Sequence, residues 1–370
     1  MKDIRFADFS DIHLGHKNEQ TLDILKALKR EIFDTGLLKK IDILFFSGDI
    51  YDRILQLDYP ALAEIDIFFS ELIYRCCRDN VKLRILEGTP SHDRGQPSRI
   101  VTIKEITGSQ VDLKYYDKLD IEYIEEFDCT VLYVPDEWRV DNADTLVEVK
   151  ELLKSRGLKT VDIAIMHGQF AYQLPASLSE LKVHDSTEYQ ELVKYLILIG
   201  HVHTHSRMGK IVAPGSFDRL KHGEPEAKGY VVGSIKNGRV HIDFIENKSA
   251  RKYITVDVYD LDMPKSMEKV ENAIAKAGVK GCIRVEADPS HPLFQNFHQL
   301  QAKWPLIVFS KLPKLKEQDV KTDTIESAFE SWQPIRITSS NIEELVRSRL
   351  EANKAEIDIN AAIELLGEHI

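Results

Sequence analysis

Short apolar runs alternate with polar loops and helix-like stretches through the first two thirds of the chain. The apolar runs cover residues 4–10, 41–49, 81–88, 161–168 and 194–203. Runs this short and this continuously apolar are typical of strands that are buried on both faces. Between them, apolar residues recur at helical spacing over residues 19–34, 60–77 and 142–156. The alternation predicts a layered α/β domain over residues 1–250.

The pattern changes after residue 250, where a smaller α+β domain is predicted over residues 251–336. Helical spacing is found over 264–278 and 291–302, and short apolar runs over 280–286 and 305–310. A helical tail is predicted over 337–370, because Ser340 and Glu343 have the spacing of a capping box. The apolar stripe of that tail consists of Ile342, Leu345, Val346 and Leu350.

Composition and charge narrow the class of protein. Hydrophobic residues make up 43% of the 370 and charged residues 29%, as in an ordinary globular protein. There is no apolar N-terminal signal core and no run of about 18 apolar residues, so we expect a cytoplasmic protein with no membrane association. The net charge of -11 argues against a broad basic surface for nucleic acid, although bound cations and a local basic rim can supply positive charge.

Five polar motifs stand where apolar runs end. They are Asp11-x-His13, Gly48-Asp49-x-x-Asp52, Ser91-His92-Asp93, His167-Gly168 and Gly200-His201-x-His203. Carboxylates and neutral imidazoles are ligands that suit Mn, Fe or Zn. Alone, Asp11-x-His13 and Gly48-Asp49-x-x-Asp52 are more simply interpreted as turns or caps, and Gly200-His201-x-His203 favours neither interpretation. All five in order, each after a predicted strand, favour a metal site.

The order of these motifs resembles that of the calcineurin-like metallophosphoesterases. More narrowly, "DIHLGH", "GHVHTH" and "VAPGSFDRLKHGEPEAKGYVV" look like the SbcD-type nuclease subunit of double-strand-break repair complexes, as found in bacteria and large phages. The resemblance covers about residues 1–250. It implies a four-layered fold, a two-sheet β-sandwich flanked by helices, followed by the small α+β domain and the helical tail.

The resemblance also implies a site with two divalent cations, Mn first and Fe or Zn as alternatives. One cation would be held by Asp11, His13, Asp49 and His203. The other would be held by Asp49, His167 and His201, with Asp49 as the bridge. His92 would contact the phosphate and help the leaving oxygen depart, and Asp93 would orient His92.

One loop departs from the family pattern. The family reads G-N-H-D, with the Asn side chain on the second metal, whereas here Gly88 is followed by Thr89-Pro90-Ser91 before His92 and Asp93. Ser91 directly precedes His92 and is therefore expected at the Asn position, as a shorter and weaker ligand. Pro90 would stiffen the loop because its φ angle is fixed.

The function implied is a metal-dependent DNA nuclease, with double-stranded exonuclease and single-stranded endonuclease activity. It would act as a homodimer with an SbcC-type coiled-coil ATPase, docked through the tail, in a bacterial cell and possibly encoded by a phage. Basic residues near the motif loops, among them Arg94, Arg219 and Lys221, are candidates for contacting the DNA backbone, the alternative being a solvated loop face.

Two other functions remain open on the sequence. The same metal centre would serve a phosphatase or a small-molecule phosphodiesterase equally well. A weakly catalytic scaffold subunit is the third possibility, because the altered Asn position would weaken the second metal. The tail likewise has two interpretations, as a helix packed on the second domain or as a helix docked on a partner protein.

Overall fold

The computed structural model describes residues 1–17, 20–136, 141–174 and 182–314, together with positions 342 and 344–347. Residues Met1–Leu312 form one compact unit. In the second unit, Pro313–Ile370, positions 342 and 344–347 are helical, and most of the predicted tail lies outside the described residues. No helix in the described ranges is long and apolar enough to cross a membrane.

The described residues form fifteen strands, the last of which ends at the first residue of the second unit. In chain order they are β1 (Ile4–Phe9), β2 (Ile43–Ser47), β3 (Lys82–Leu86), β4 (Leu113–Tyr116), β5 (Asp120–Ile124), β6 (Cys129–Val134), β7 (Val161–Gly168), β8 (Val193–His201), β9 (Ser206–Met208), β10 (Ile211–Ala213), β11 (Gly229–Lys236), β12 (Arg239–Glu246), β13 (Tyr253–Asp257), β14 (Cys282–Ala287) and β15 (Val308–Pro313). The five predicted strands of the first domain correspond to β1, β2, β3, β7 and β8 and are confirmed.

Eight α-helices connect and cover these strands within the described ranges. They are α1 (Thr21–Lys29), α2 (Leu62–Arg78), α3 (Ser98–Thr107), α4 (Asn142–Ser155), α5 (Ser186–Leu192), α6 (Met263–Ala277), α7 (Pro292–Gln295) and α8 (Phe297–Lys303). A π-helical turn, Arg30–Asp34, extends α1, so the helix predicted over 19–34 is confirmed in position. The helices predicted over 60–77 and 142–156 are α2 and α4.

Two six-stranded mixed sheets form the body of the protein. The strand order is β12-β11-β1-β2-β3-β4 in the first sheet and β5-β6-β7-β8-β10-β9 in the second. In the first sheet β1, β2, β3 and β4 are parallel to one another. β11 pairs antiparallel with β1 on one side and with β12 on the other. In the second sheet β6, β7, β8 and β10 are parallel. The predicted α/β class is therefore correct.

Alternating side chains of the strands fill three separate hydrophobic cores. One core lies between the two sheets and the other two lie between a sheet and its helices, so helices and sheets form four layers. Phe45 of β2 packs between the two sheets with Ile165 of β7. Its neighbour Phe46 faces the other side, against α2. The outer face of the second sheet packs against α4 and α5. Strands of this kind are buried on both faces, which explains why they were visible as continuous apolar runs.

A buried ion pair joins β3 of the first sheet to β5, the edge strand of the second. The guanidinium of Arg84 on β3 is 1% exposed and donates to both carboxylate oxygens of Glu122 on β5, each at 2.8 Å. The hydroxyls of Tyr116 and Tyr133 donate to the same carboxylate at 2.9 and 3.0 Å. Every strong polar group of this pair is thus hydrogen-bonded, as burial requires.

The three remaining strands form a separate sheet in the order β13-β14-β15. Together with α6, α7 and α8 they enclose a hydrophobic core of their own. The strands and helices predicted for the second domain are present, although the predicted boundary at residue 336 lies outside the described residues. The polar contacts of this part with α1 include ion pairs of Asp23 with Arg251 and Lys280, at 3.0 and 2.8 Å.

Candidate metal centre

The motif residues meet at one edge of the two sheets. Because β1 and β2 are parallel neighbours, as are β7 and β8, the residues that follow them or end them lie at the same edge. Within the described part of the chain, three groups of side chains have ligand atoms within 4.8 Å of one another and can hold a metal ion. These groups are Asp11, His13 and His203; Asp49, His167 and His201; and His13, Asp52 and His92.

The first of these groups, Asp11, His13 and His203, is named group 1. Nε2 of His13 lies 3.2 Å from Nε2 of His203 and 3.8 Å from Oδ2 of Asp49. Nε2 of His203 lies 4.0 Å from Oδ1 of Asp11. The Asp11 carboxylate is held by the hydroxyl of Ser10 and by the backbone N–H of His201 at 3.0 Å. These ligand atoms therefore converge on one point.

The outer nitrogens of both imidazoles in group 1 have acceptors. Nδ1 of His13 donates to Oδ1 of Asp52 at 3.1 Å, and Nδ1 of His203 donates to Oε1 of Glu224 at 3.2 Å. A neutral imidazole that donates from Nδ1 carries its lone pair on Nε2. Two lone pairs 3.2 Å apart repel unless a proton or a cation lies between them, so the donor set of group 1 fits a metal ion.

Asp49, His167 and His201 form group 2. Nδ1 of His167 donates to the carbonyl of Ser47 at 2.7 Å, and its Nε2 lies 3.3 Å from Oδ2 of Asp49. The hydroxyl oxygen of Thr89 lies 3.2 Å from that Asp49 oxygen, 3.4 Å from His167 Nε2 and 3.2 Å from His201 Nδ1. Atoms bound to one cation at about 2.1 Å are separated by about 3.0 to 3.5 Å when adjacent, so these spacings also fit a metal ion.

Asp49 lies between the two groups. Burial opposes ionisation of its carboxyl, but the neighbouring His167 and His13 rings outweigh that effect and lower the pKa of Asp49. Burial likewise opposes a charge on His167, and the Asp49 carboxylate more than offsets it, raising the pKa of His167 well above its usual value. A cation bound here must displace the proton of that imidazole, because only the neutral ring is a ligand.

The structure brings Thr89 to group 2, so the expectation that Ser91 would be the ligand from this loop was wrong. Ser91 is exposed, whereas Thr89 is buried and its backbone N–H donates to Oδ1 of Asp49 at 2.6 Å. Gly88 packs so closely on Asp49 that a Cβ would collide with the Asp49 backbone nitrogen and carboxylate. Thr89, directly after this glycine, therefore reaches the Asp49 carboxylate. For predicting which loop residue joins group 2, its distance in sequence from Gly88 was a better guide than its distance from His92.

Asp93 does not orient His92, so its expected role was wrong. Its fully buried carboxylate accepts from the backbone N–H groups of Asp49, Gly88 and Tyr51 at 3.0, 2.8 and 2.8 Å. Nδ1 of His92 instead donates to the backbone carbonyl of Asp52 at 2.7 Å. Asp93 thus ties the loop after β2 to the loop after β3, and the Asp52 carbonyl fixes His92.

Four of the candidate ligands have backbone conformations that non-glycine residues rarely adopt. The φ angles are 50° at Asp11, 54° at His13, 53° at Asp49 and 95° at His201. Each such conformation costs on the order of 1–3 kcal/mol and persists only where the surroundings enforce it. This concentration of strain at the strand ends is typical of a functional site.

Glu224 and Lys228 belong to the surroundings of His203, and sequence reasoning had given them no role. Besides His203, Glu224 binds the backbone N–H of Leu220 at 3.1 Å and Nζ of Lys228 at 3.3 Å. Lys228 is buried and donates to the carbonyl of His203 at 2.8 Å. Burial opposes ionisation of Glu224, but His203 and Lys228 lower its pKa to about 2. Their spacing of four residues within "GEPEAK" was the only signal.

The three candidate DNA contacts differ in their surroundings. Arg94 and Lys221 are exposed. The guanidinium of Arg219 donates to the backbone carbonyls of Glu224 and Glu226 at 3.0 and 2.7 Å. Arg219 therefore shapes its own loop, and Arg94 and Lys221 are the better placed of the three for a ligand in solution.

Comparison with known proteins adds little to this geometry. No protein-family model matches the chain, and no curated protein matches its sequence. One solved structure aligns over its whole length with 66% of this chain, at 14% identity and a TM-score of 0.39. A likeness at that TM-score carries no argument about family or function.

Proposed function

We propose that the protein is a metal-dependent phosphodiesterase with two divalent cations, and that its substrate is DNA. The observation that carries this proposal is the pair of ligand groups joined by Asp49, whose Oδ2 lies 3.8 Å from His13 and 3.3 Å from His167. One shared carboxylate between two His/Asp groups is the arrangement that two-metal hydrolases require. The donor set of imidazoles and carboxylates favours Mn, with Fe or Zn as alternatives.

When bound, the two cations would activate a water molecule and stabilise the charge that develops on the phosphate. Asp11, His13 and His203 would hold the first cation, and His167, His201 and Thr89 the second, with Asp49 shared between them. His92 stands beside them, in edge contact with the His13 ring at 4.9 Å between ring centres. Since its Nδ1–H is committed to the Asp52 carbonyl, Nε2 faces the site, and it would give a proton to the leaving oxygen from the doubly protonated ring, which then returns to the neutral form.

The four layers of helix, sheet, sheet and helix support membership of the calcineurin-like metallophosphoesterases. Within that superfamily we propose an SbcD-type nuclease subunit. The segment around "APGSFDRLKHGE" supports this choice, because Glu224 and Lys228 build it into the surroundings of His203. The exposed Arg94 and Lys221 would meet the DNA backbone, and the SbcC-type ATPase, the homodimer and a cytoplasmic place of action are proposed with the family.

Hydrolysis of labelled linear duplex and single-stranded DNA with added Mn tests the proposal. Wild type is compared with His92→Ala, and with His241→Ala as a matched control, because His241 lies on β12 and is 72% exposed. We expect Mn-dependent cleavage that is lost in the first variant and unchanged in the second. Cleavage of bis-para-nitrophenyl phosphate but not of DNA, even with an SbcC-type partner and ATP, would establish a small-molecule phosphodiesterase, and no cleavage of either substrate would leave a scaffold subunit.

A further inference from the structure

Group 2 carries less negative charge than group 1. Group 1 has the carboxylate of Asp11 to itself and lies beside Asp49. Group 2 has only the shared Asp49, since His167, His201 and the Thr89 hydroxyl are neutral donors. A divalent cation in a buried site needs compensating negative charge, because the protein interior solvates charge poorly. The second cation therefore calls for another carboxylate.

Asp136 stands at the place where such a carboxylate is needed. It follows β6, and β6, β7 and β8 are parallel neighbours in which Val134 pairs with Met166, and Gly168 with His201. The residues just beyond these three strand ends therefore form a row at the edge of the sheet. Asp136 lies at the β6 end of this row, two residues after Val134, and the next strand in the row is β7, which ends at His167 and Gly168.

The position of the Asp136 carboxylate is defined by both of its oxygens. Oδ2 lies 3.7 Å from Nδ1 of His201, the ring atom that faces Thr89. Oδ1 lies against Gly168, where a Cβ would come within 3.5 Å of it. The Asp136 side chain is only 13% exposed. The carboxylate is thus turned toward group 2 and not toward solvent.

We propose that Asp136 belongs to the site of the second cation and supplies the negative charge that group 2 lacks. The inference rests on the proposed two-cation function. Asp136 is not a member of the group whose ligand atoms all lie within 4.8 Å of one another, so it stands beside the ligands and not among them. With its Oδ2 3.7 Å from Nδ1 of His201, it acts on the second site through its charge. Asp136 thereby compensates for Thr89, a neutral and short donor.

The test is titration of the metal-free protein with MnCl₂, with binding measured by calorimetry and by equilibrium dialysis. Wild type is compared with Asp136→Asn, with Asp136→Glu, which keeps the charge, and with Asp117→Asn, a matched charge loss at an exposed turn. We expect two Mn per wild-type chain, and Asp136→Asn should weaken one of the two sites by tenfold or more. Asp136→Glu should restore most of that affinity, and Asp117→Asn should match wild type.

Two results would overturn the inference in different ways. If wild type binds two Mn and Asp136→Asn binds both with unchanged affinity, Asp136 has no part in the site while the proposed function stands. If wild type binds fewer than two Mn, the two-cation proposal fails and the inference fails with it. The unfolding temperature of each variant, measured in EDTA, shows whether the variant is folded. If Asp136→Glu loses as much Mn affinity as Asp136→Asn, that result would also count against a role for the charge.

Discussion

Replacing Asp93 with asparagine should loosen the two loops that present Asp49 and Thr89. The Asp93 carboxylate is fully buried and accepts from three backbone N–H groups, two on Oδ2 and one on Oδ1. An asparagine side chain has one acceptor oxygen. If that oxygen keeps the bonds from Asp49 and Gly88, the amide NH₂ must face the N–H of Tyr51, donor against donor.

The expected cost follows from these bonds. An unsatisfied buried N–H costs about 1–3 kcal/mol, and each of the two surviving bonds loses about 1 kcal/mol when its acceptor is no longer charged. Burial and the neighbouring Asp49 charge raise the pKa of Asp93 well above its usual value, so the neutral amide costs less to keep in this place than the carboxylate, which offsets part of the loss. We therefore expect Asp93→Asn to lower the free energy of unfolding by about 2–4 kcal/mol and to weaken Mn binding, because Asp49 loses the support of its loop.

Urea denaturation in EDTA measures the stability change, with Asp117→Asn as the control that should match wild type. Mn titration measures the second effect. A stability within about 0.5 kcal/mol of wild type would refute the reasoning, since that is the size of an ordinary surface substitution. Unchanged stability with a shifted pH profile of hydrolysis would instead return Asp93 to a role in orienting His92.

Three further predictions concern residues outside group 2. Glu224→Gln should weaken one Mn site by about tenfold to a hundredfold, because His203 loses its charged acceptor, and an unchanged Mn titration would contradict this. Burial raises the pKa of Asp218 to about 6, above the value of about 3.9 in an unfolded chain. Between these two values the folded state holds a proton on Asp218 that the unfolded state has lost, so the free energy of unfolding falls as pH rises from about 4 to above 6. Asp218→Asn should remove that fall, gaining up to about 3 kcal/mol on wild type between pH 4 and pH 7.5 in thermal denaturation; parallel pH curves would contradict it. Glu122→Ala should cost at most about 3–5 kcal/mol in urea denaturation, because it removes the two-pronged partner of the buried Arg84 and leaves the more exposed Asp112 carboxylate, at 2.9 Å, to compensate that charge. The pair Arg84→Met and Glu122→Leu should cost less, and equal losses would argue against the ion pair.

The central strands could be predicted from the sequence because each is buried on both faces. The runs over 161–168 and 194–203 match β7 and β8 within a residue or two at either end. The short strands β9 and β10, of three residues each, carry too little pattern to be recognised. Helix α3 was missed because only Ile100 among its ten residues is buried. That the strands divide into two sheets followed from the family resemblance alone, since strand order leaves no periodic signal.

Candidate ligands at strand ends were also predictable, because motif and strand lie together in the sequence. Asp136 and Glu224 were not, because their relation to His201 and His203 exists only after distant segments have folded together. Thr89 was missed for a local reason. The expectation aligned the loop from His92 backward, whereas the close contact of Gly88 with Asp49 fixes the loop from its other end.

Anomalous diffraction at the manganese edge, from crystals of the protein soaked in MnCl₂, would locate the bound cations. We expect two peaks about 3.5–4 Å apart, one among the ligand atoms of Asp11, His13 and His203 and one among those of Asp49, His167 and His201. A single peak, or peaks away from these two groups, would contradict a two-cation centre bridged by Asp49.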